Sequence, residues 1–163
     1  MPKRRSLCLI DAHSIIYRAF HALPELATSE GFPTGAVYGF VRMLVRVLKE
    51  KRPDRTAVVF DAKGTTFRHQ LDPDYKANRP PMDPVLAKQM DAIKKIVHAL
   101  GLPAFEREGF EADDIIATLT RQAHGAGDEV MIVSGDKDLF QLLEEGVVMW
   151  DTMRDKVHDA SSV

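Results

Sequence analysis

Seven carboxylates in this sequence stand where an apolar stretch meets polar chain. Leu7 to Ile10 runs into Asp11, and Ala57 to Phe60 runs into Asp61. Val130 to Val133 leads through Ser134 and Gly135 to Asp136 and Asp138. Glu111, Asp113 and Asp114 open a segment whose apolar residues recur at helical spacing. Short, wholly apolar runs are the pattern of buried parallel strands, whose carboxyl ends share one edge of the sheet. Open α/β folds bind their ligands along that edge. Carboxylates crowded there repel one another unless cations lie between them. All-oxygen ligation suits Mg²⁺ or Mn²⁺ and not zinc, and no His or Cys set competes. In extended chain Asp136 and Asp138 point the same way and would share an ion, while Glu111 and Asp114 fall on one helix face.

Taken singly, each acid has a plainer account as a helix cap or a first-turn charge. Capping asks for one residue per helix and accepts Ser, Thr or Asn equally well. Three acids within four positions, and Asp136-Lys137-Asp138 elsewhere, exceed that need. Two ions about 4 Å apart would serve phosphodiester hydrolysis, one acidifying a water and the other steadying the departing oxygen. Residues 62–82 carry what a phosphate substrate needs: point charges from Lys63 and Lys76 and forked donors from Arg68 and Arg79. Tyr75 offers a stacking face for a base. A solvated surface loop is the bland reading of this segment, and its place directly after Asp61 favours substrate contact. His13, His21, His69 and His98 lack ligand spacing and read as surface or packing residues.

Those acids need a frame. Strands are expected near 6–10, 56–60, 103–106, 129–133 and 146–150, with helical patterns between them. Val37, Phe40, Val41, Leu44 and Leu48 mark one apolar helix face. Asp83 and Pro84 begin a second helix in the preferred cap-then-proline order. Its buried stripe is expected to be Leu86, Met90, Ile93, Val97 and Leu100, with Gly101 as the stop. A third helix is expected over about 112–124, with Ile115, Ile116 and Leu119 inward. Alternating strand and helix predicts an α/β fold, a mainly parallel doubly wound sheet with helices on both faces and right-handed crossovers. Strand order is not readable. Residues 21–35 form a turn-rich loop, and the polar tail after Trp150 is expected to be loosely ordered.

The 163 residues fit one domain with an ordinary core. A net charge of −2 excludes a wholesale polycation but not a local basic strip. Cys8, the only cysteine, lies in the first expected strand, so no disulfide forms within the chain. Asp11 interrupts the apolar stretch after Met1 to Arg5 too soon for a signal or a membrane span, giving the expectation of a cytoplasmic protein with no membrane partner.

Several long motifs occur in order: Ile16 to His21, Pro33 to Gly39, Asp61 to Arg68, Tyr75 to Met82, Gly109 to Asp114 and Ser134 to Asp138. Together, from Leu7 to about Trp150, they resemble the 5′-nuclease domain of bacterial DNA polymerase I, a relative of flap endonucleases and PIN-like nucleases. The resemblance implies a PIN-like, resolvase-like nuclease core using Mg²⁺ or Mn²⁺, with two ions in the complete site. It implies that Asp11, Asp61, Glu111, Asp113, Asp114 and Asp136 form the first metal cluster, with Asp136 and Asp138 reaching toward the second ion. Asp11, Asp61, Asp136 and Lys76 would be catalytic, Lys76 stabilising charge on the scissile phosphate. Tyr75, Lys76 and Arg79 match an arch through which a single-stranded 5′ end passes, within an arch-like segment at about 62–82. Tyr17, Arg18, Lys63 and Arg68 are the further substrate-binding expectations.

The implied reaction is hydrolysis of DNA at 5′ flaps or ends, including primer removal with an RNA primer as substrate. Ala12 stands where the family usually has Gly, and Thr65 where Lys is usual. Two further acids and a helix–hairpin module for duplex DNA are expected beyond residue 163. The sequence therefore reads as an amino-terminal catalytic part with an incomplete second metal site, belonging with the remainder of a polymerase I or longer nuclease chain. A PIN-type ribonuclease is the nearest rival but generally lacks the Tyr75 to Pro81 pattern. A phosphoaspartyl phosphatase would want Asp-x-Asp, where Asp11 to His13 has no second acid. A weakly active or inactive DNA-binding fragment is the remaining alternative.

Overall fold

The computed structural model describes residues 3–62, 70–72, 74 and 81–163. In chain order the elements are β1 (Ser6–Asp11), α1 (Ala12–Ala22), α2 (Gly35–Lys51), β2 (Arg55–Val59), α3 (Pro84–Ala99), β3 (Ala104–Phe105), α4 (Ala112–Gly125), β4 (Glu129–Val133), β5 (Val147–Asp151) and β6 (Lys156–His158). Single 3₁₀ turns cover Lys137–Leu142 and Ala160–Ser162. The strands are apolar on both sides because both faces of the sheet are covered. Cys8, Ile10, Val58, Phe60, Val133 and Trp150 join the core under α1, α2 and α3. Their neighbours Leu9, Ala57, Val59, Ile132 and Met149 join a second core under α4. The strand pleat performs this sorting, residue by residue.

The sheet order is β3-β2-β1-β4-β5-β6, parallel except for the antiparallel edge pair β5 and β6. The chain therefore winds outward from β1 in one direction, then returns to begin β4 on the other side. The crevice at the carboxyl ends of β1 and β4 is the topological switch point, where such sheets bind ligands. Asp11 ends β1, and Ser134 to Asp136 follow β4 directly.

Some expectations need correction. Leu100 is 55% exposed, because α3 stops at Ala99 and Gly101 takes a left-handed φ of 72° that turns the chain away. Met43 and Val47 are buried where Val41 was expected, so the inward face of α2 is rotated slightly toward them. The tail after Trp150 is structured. Asp151 Oδ1 accepts from the main-chain N–H groups of Met153 and Arg154, turning β5 back into β6. α2 also begins without a cap from its own Thr34; the buried Gln89 of α3 instead takes the Ala36 and Val37 N–H groups at 2.8 and 3.1 Å.

α1 and α2 cross closely at Gly39, where an added Cβ would lie 2.5 Å from Ala19 Cβ. Ala is intrinsically the better helix residue by about 1 kcal/mol. The overlap falls on a short, rigid side chain and dominates. Gly39→Ala is expected to lower stability by about 1–2 kcal/mol in urea denaturation. An unchanged or higher midpoint would show that the crossing has slack.

Candidate active site

Four element ends supply the acids. Asp11 ends β1, Asp61 follows β2, Glu111 and Asp113 stand at the start of α4, and Asp136 follows β4. Asp11, Asp61, Glu111, Asp113 and Asp136 line one cavity of about 580 Å³, together with His13, Tyr17 and Arg18 of α1. Asp113, Asp136 and Asp138 each place a carboxylate oxygen within 4.8 Å of the others. That spacing and an all-oxygen donor set fit a hard divalent cation.

The local turns explain how these side chains converge. Asp136 and Asp138 do come together, but the extended chain ends at Asp136 and a 3₁₀ turn starts at Lys137, so they meet through a turn and not along a strand. Asp136 caps the 3₁₀ turn, its Oδ1 accepting from Asp138 N–H at 2.9 Å, and the turn swings Asp138 back toward Asp113. Glu111 and Asp114 meet at the start of α4 and line an adjoining groove together. They form a reciprocal capping box on α4, with Asp114 Oδ2 accepting from Glu111 N–H at 3.1 Å. Asp114 lines the adjoining groove beside Asp138 and not the main cavity. Here the ordinary capping account describes the geometry, while Glu111 remains on the cavity wall. Asp61 Oδ1 accepts from Ala112 N–H at 2.6 Å, tying the end of β2 to the amino terminus of α4.

Asp11 is 4% exposed and does not cap α1 through its side chain. Its Oδ2 accepts from Ser134 Oγ at 2.7 Å, and the same hydroxyl accepts from Asp136 N–H at 3.0 Å. Burial pushes the Asp11 carboxyl up to about 7, with Ser134 opposing and the charges of Asp113 and Asp61 adding to the rise. Asp113 is raised to about 6 by burial and then by Asp136, Asp61, Glu111 and Asp138. These acids are costly to ionise together, which is the electrostatic condition of a site built to hold cations.

Arg18 was expected to face substrate. It lines the cavity, and its guanidinium is also engaged, with Nη1 donating to Asp151 Oδ1 at 2.7 Å and Nη2 to the Gly135 carbonyl at 3.3 Å. An added Cβ at Gly135 would lie 1.8 Å from Arg18 Nη2, so glycine makes room for this strut. Ser14 Oγ accepts from Gly135 N–H at 3.1 Å on the other side. Tyr17 is exposed on the cavity wall. Lys63, Arg68, Tyr75, Lys76 and Arg79 lie outside the described residues.

Sequence reasoning passed over Ser134, Asp151 and His13. His13 was read as a packing residue, yet it lines the cavity and its Nδ1 accepts from Asp61 N–H at 3.1 Å. Burial lowers its pKa, with Asp61 opposing, and Nδ1 lies 3.6 Å from Asp61 Oδ2. Only position after Asp11 hinted at His13; nothing in sequence marked Asp151, 133 residues from Arg18.

Residues 6–163 match the family described as 5′-3′ exonuclease, N-terminal resolvase-like domain. The chain belongs to this family. The chain is 45% identical over 153 residues to a 5′-3′ exonuclease of Aquifex aeolicus, covering 94% of this chain and 53% of that protein. It is 48% identical over 157 residues to DNA polymerase I of Pseudomonas aeruginosa, covering 96% of this chain and 17% of the polymerase. The domain thus spans about half of the first relative and a smaller share of the second. Its fold matches bacteriophage T5 flap endonuclease in a complex with DNA and metal ions at a TM-score of 0.68, with 20% identity, covering 95% of this chain and 58% of that one. No helix among the described residues is long and apolar enough to cross a membrane.

With folded pKa values of about 7 and 6, Asp11 and Asp113 hold protons that the unfolded chain has released above its ordinary 3.8. Stability of the metal-free domain therefore falls as pH rises through about 4 to 7. Its urea midpoint is expected to be higher at pH 5 than at pH 8. Asp11→Asn, which keeps an acceptor for Ser134, is expected to raise pH 8 stability by about 2 kcal/mol and flatten the profile. A wild-type midpoint that climbs toward pH 8 contradicts this account. Gly135→Ala would push Arg18 off Asp151, which is 3% exposed, and should cost about 3 kcal/mol by leaving that carboxylate without its cation. A loss below about 0.5 kcal/mol would mean that the strut is dispensable.

Proposed function

We propose that this domain is the metal-dependent catalytic part of a structure-specific 5′ nuclease that hydrolyses DNA phosphodiesters at 5′ flaps or ends. One observation carries the reading. Five carboxylates from four element ends line a single cavity at the sheet's switch point, within a chain 45% identical to a 5′-3′ exonuclease. Asp113, Asp136 and Asp138, with Asp11, Asp61 and Glu111 around them, would hold Mg²⁺ or Mn²⁺. Bound there, the ions supply Lewis-acid stabilisation of charge on the phosphate and an acidified water.

The chain's own residues do the rest. Ser134 holds Asp11 and the main chain of Asp136 at a fixed separation. Asp61 is braced by the Ala112 N–H, which orients its second oxygen. Tyr17 offers an aromatic face on the cavity wall, where a base next to the cleaved bond would stack. From the 62–82 segment, Lys76 would stabilise charge on the scissile phosphate. Lys63, Arg68, Tyr75 and Arg79 would guide the single strand. An RNA primer is a substrate of the same chemistry, since the site addresses phosphates and one base face. Asp114 belongs with the helix cap, and its contribution to metal binding is indirect.

Cleavage of end-labelled 5′-flap DNA in Mn²⁺, with wild type beside Asp136→Asn, tests the proposal. Junction cutting that falls about 100-fold or more in the variant is expected. Equal cutting by both proteins, or no Mn²⁺ binding by the wild type in calorimetry, would remove the metal-nuclease reading.

A further inference from the structure

His13 is the second residue of α1 and stands between the cavity and the end of β2. Its Nδ1 accepts the Asp61 N–H at 3.1 Å. An imidazole nitrogen that accepts carries no hydrogen, so in the neutral ring the hydrogen sits on Nε2. Phe60 meets the ring edge-on at 6.3 Å between centroids, and Tyr17 lies tilted to it at 6.2 Å. Nε2–H has no hydrogen-bond partner among the described residues.

Asp61 needs this support. The β1–β2 ladder ends at the Asp11–Val59 pair, and Phe60 N–H goes to Phe105 O. Asp61 is the next residue, and His13 is its amide's acceptor. One Asp61 carboxylate oxygen is already committed to Ala112. Holding both the amide and that oxygen leaves Oδ2 as the one oriented toward further ligands.

We propose that His13 is a two-ended tether, positioning Asp61 through its main chain by Nδ1 and donating Nε2–H to a non-bridging oxygen of the substrate phosphate. The substrate end of the tether rests on the nuclease reading; the Asp61 end does not.

The test uses the full chain and two substitutions. Asn places Oδ1 where Nδ1 stands but cannot reach as far as Nε2; Ala removes both ends. Mn²⁺ affinity is read by calorimetry, and flap binding by fluorescence anisotropy of labelled 5′-flap DNA with Ca²⁺ replacing Mn²⁺. His13→Ala should bind Mn²⁺ about 10-fold more weakly, and His13→Asn should restore the wild-type affinity. Both should bind the flap roughly 10-fold more weakly. Wild-type Mn²⁺ affinity in His13→Ala, or wild-type flap binding in His13→Asn, overturns the tether. If His13→Ala does not fold, the Asn variant alone still decides, by whether it keeps metal and loses DNA. A wild type that binds neither Mn²⁺ nor flap DNA would instead sink the nuclease reading itself.

Discussion

Mutual repulsion among carboxylates at the carboxyl ends of β1 and β4 sets the terms for the rest of this domain. Asp11 is nearly enclosed, and Asp113 feels Asp136, Asp61, Glu111 and Asp138 at once. Such a cluster destabilises the metal-free fold, and three of its acids are each held by a donor. Ser134 holds Asp11, Ala112 N–H holds Asp61, and the Asp138 N–H holds Asp136. The amino end of α4 points its positive dipole end at the same place. Cations would turn this crowding from a cost into affinity, and the site's electrostatics and its proposed chemistry are one property.

A second layer keeps those holders in place. α1 leaves β1 without an intervening loop, so His13, Ser14, Tyr17 and Arg18 follow Asp11 at fixed helical offsets. Ser14 and Arg18 grip Gly135 from two sides, and Arg18 reaches on to the buried Asp151 at the end of β5. Asp151 also turns the chain into β6. The antiparallel edge strand is thus linked through one guanidinium to the turn that presents Asp136. Arg18 serves here both as a strut and as part of the cavity wall.

Membership in the exonuclease family and the switch-point geometry are independent properties of this chain. Family relatedness rests on the residues matched along 6–163. The geometry rests on a strand order that brings Asp11 and Asp136, 125 positions apart, onto neighbouring strands.

The apolar runs alone determined that this chain builds a parallel sheet covered on both sides, because a strand apolar at every position needs two cores. They also determined that acids stand at the strand ends, and the Asp83–Pro84 and Gly101 signals bounded α3 for local backbone reasons. What the pattern could not decide was partnership at long range. That Gln89 caps α2, that Ser134 bridges Asp11 and Asp136, and that Asp151 claims Arg18 depend on strand order, to which hydrophobic periodicity is blind. Capping and metal ligation also draw on the same residue types at the same helix start. Only the folded backbone separated Asp114, committed to the capping box, from Asp113, turned toward Asp136 and Asp138. His13 escaped notice for the same reason: its role lies in a hydrogen bond to a main-chain amide 48 residues away, which no side-chain pattern along the sequence encodes.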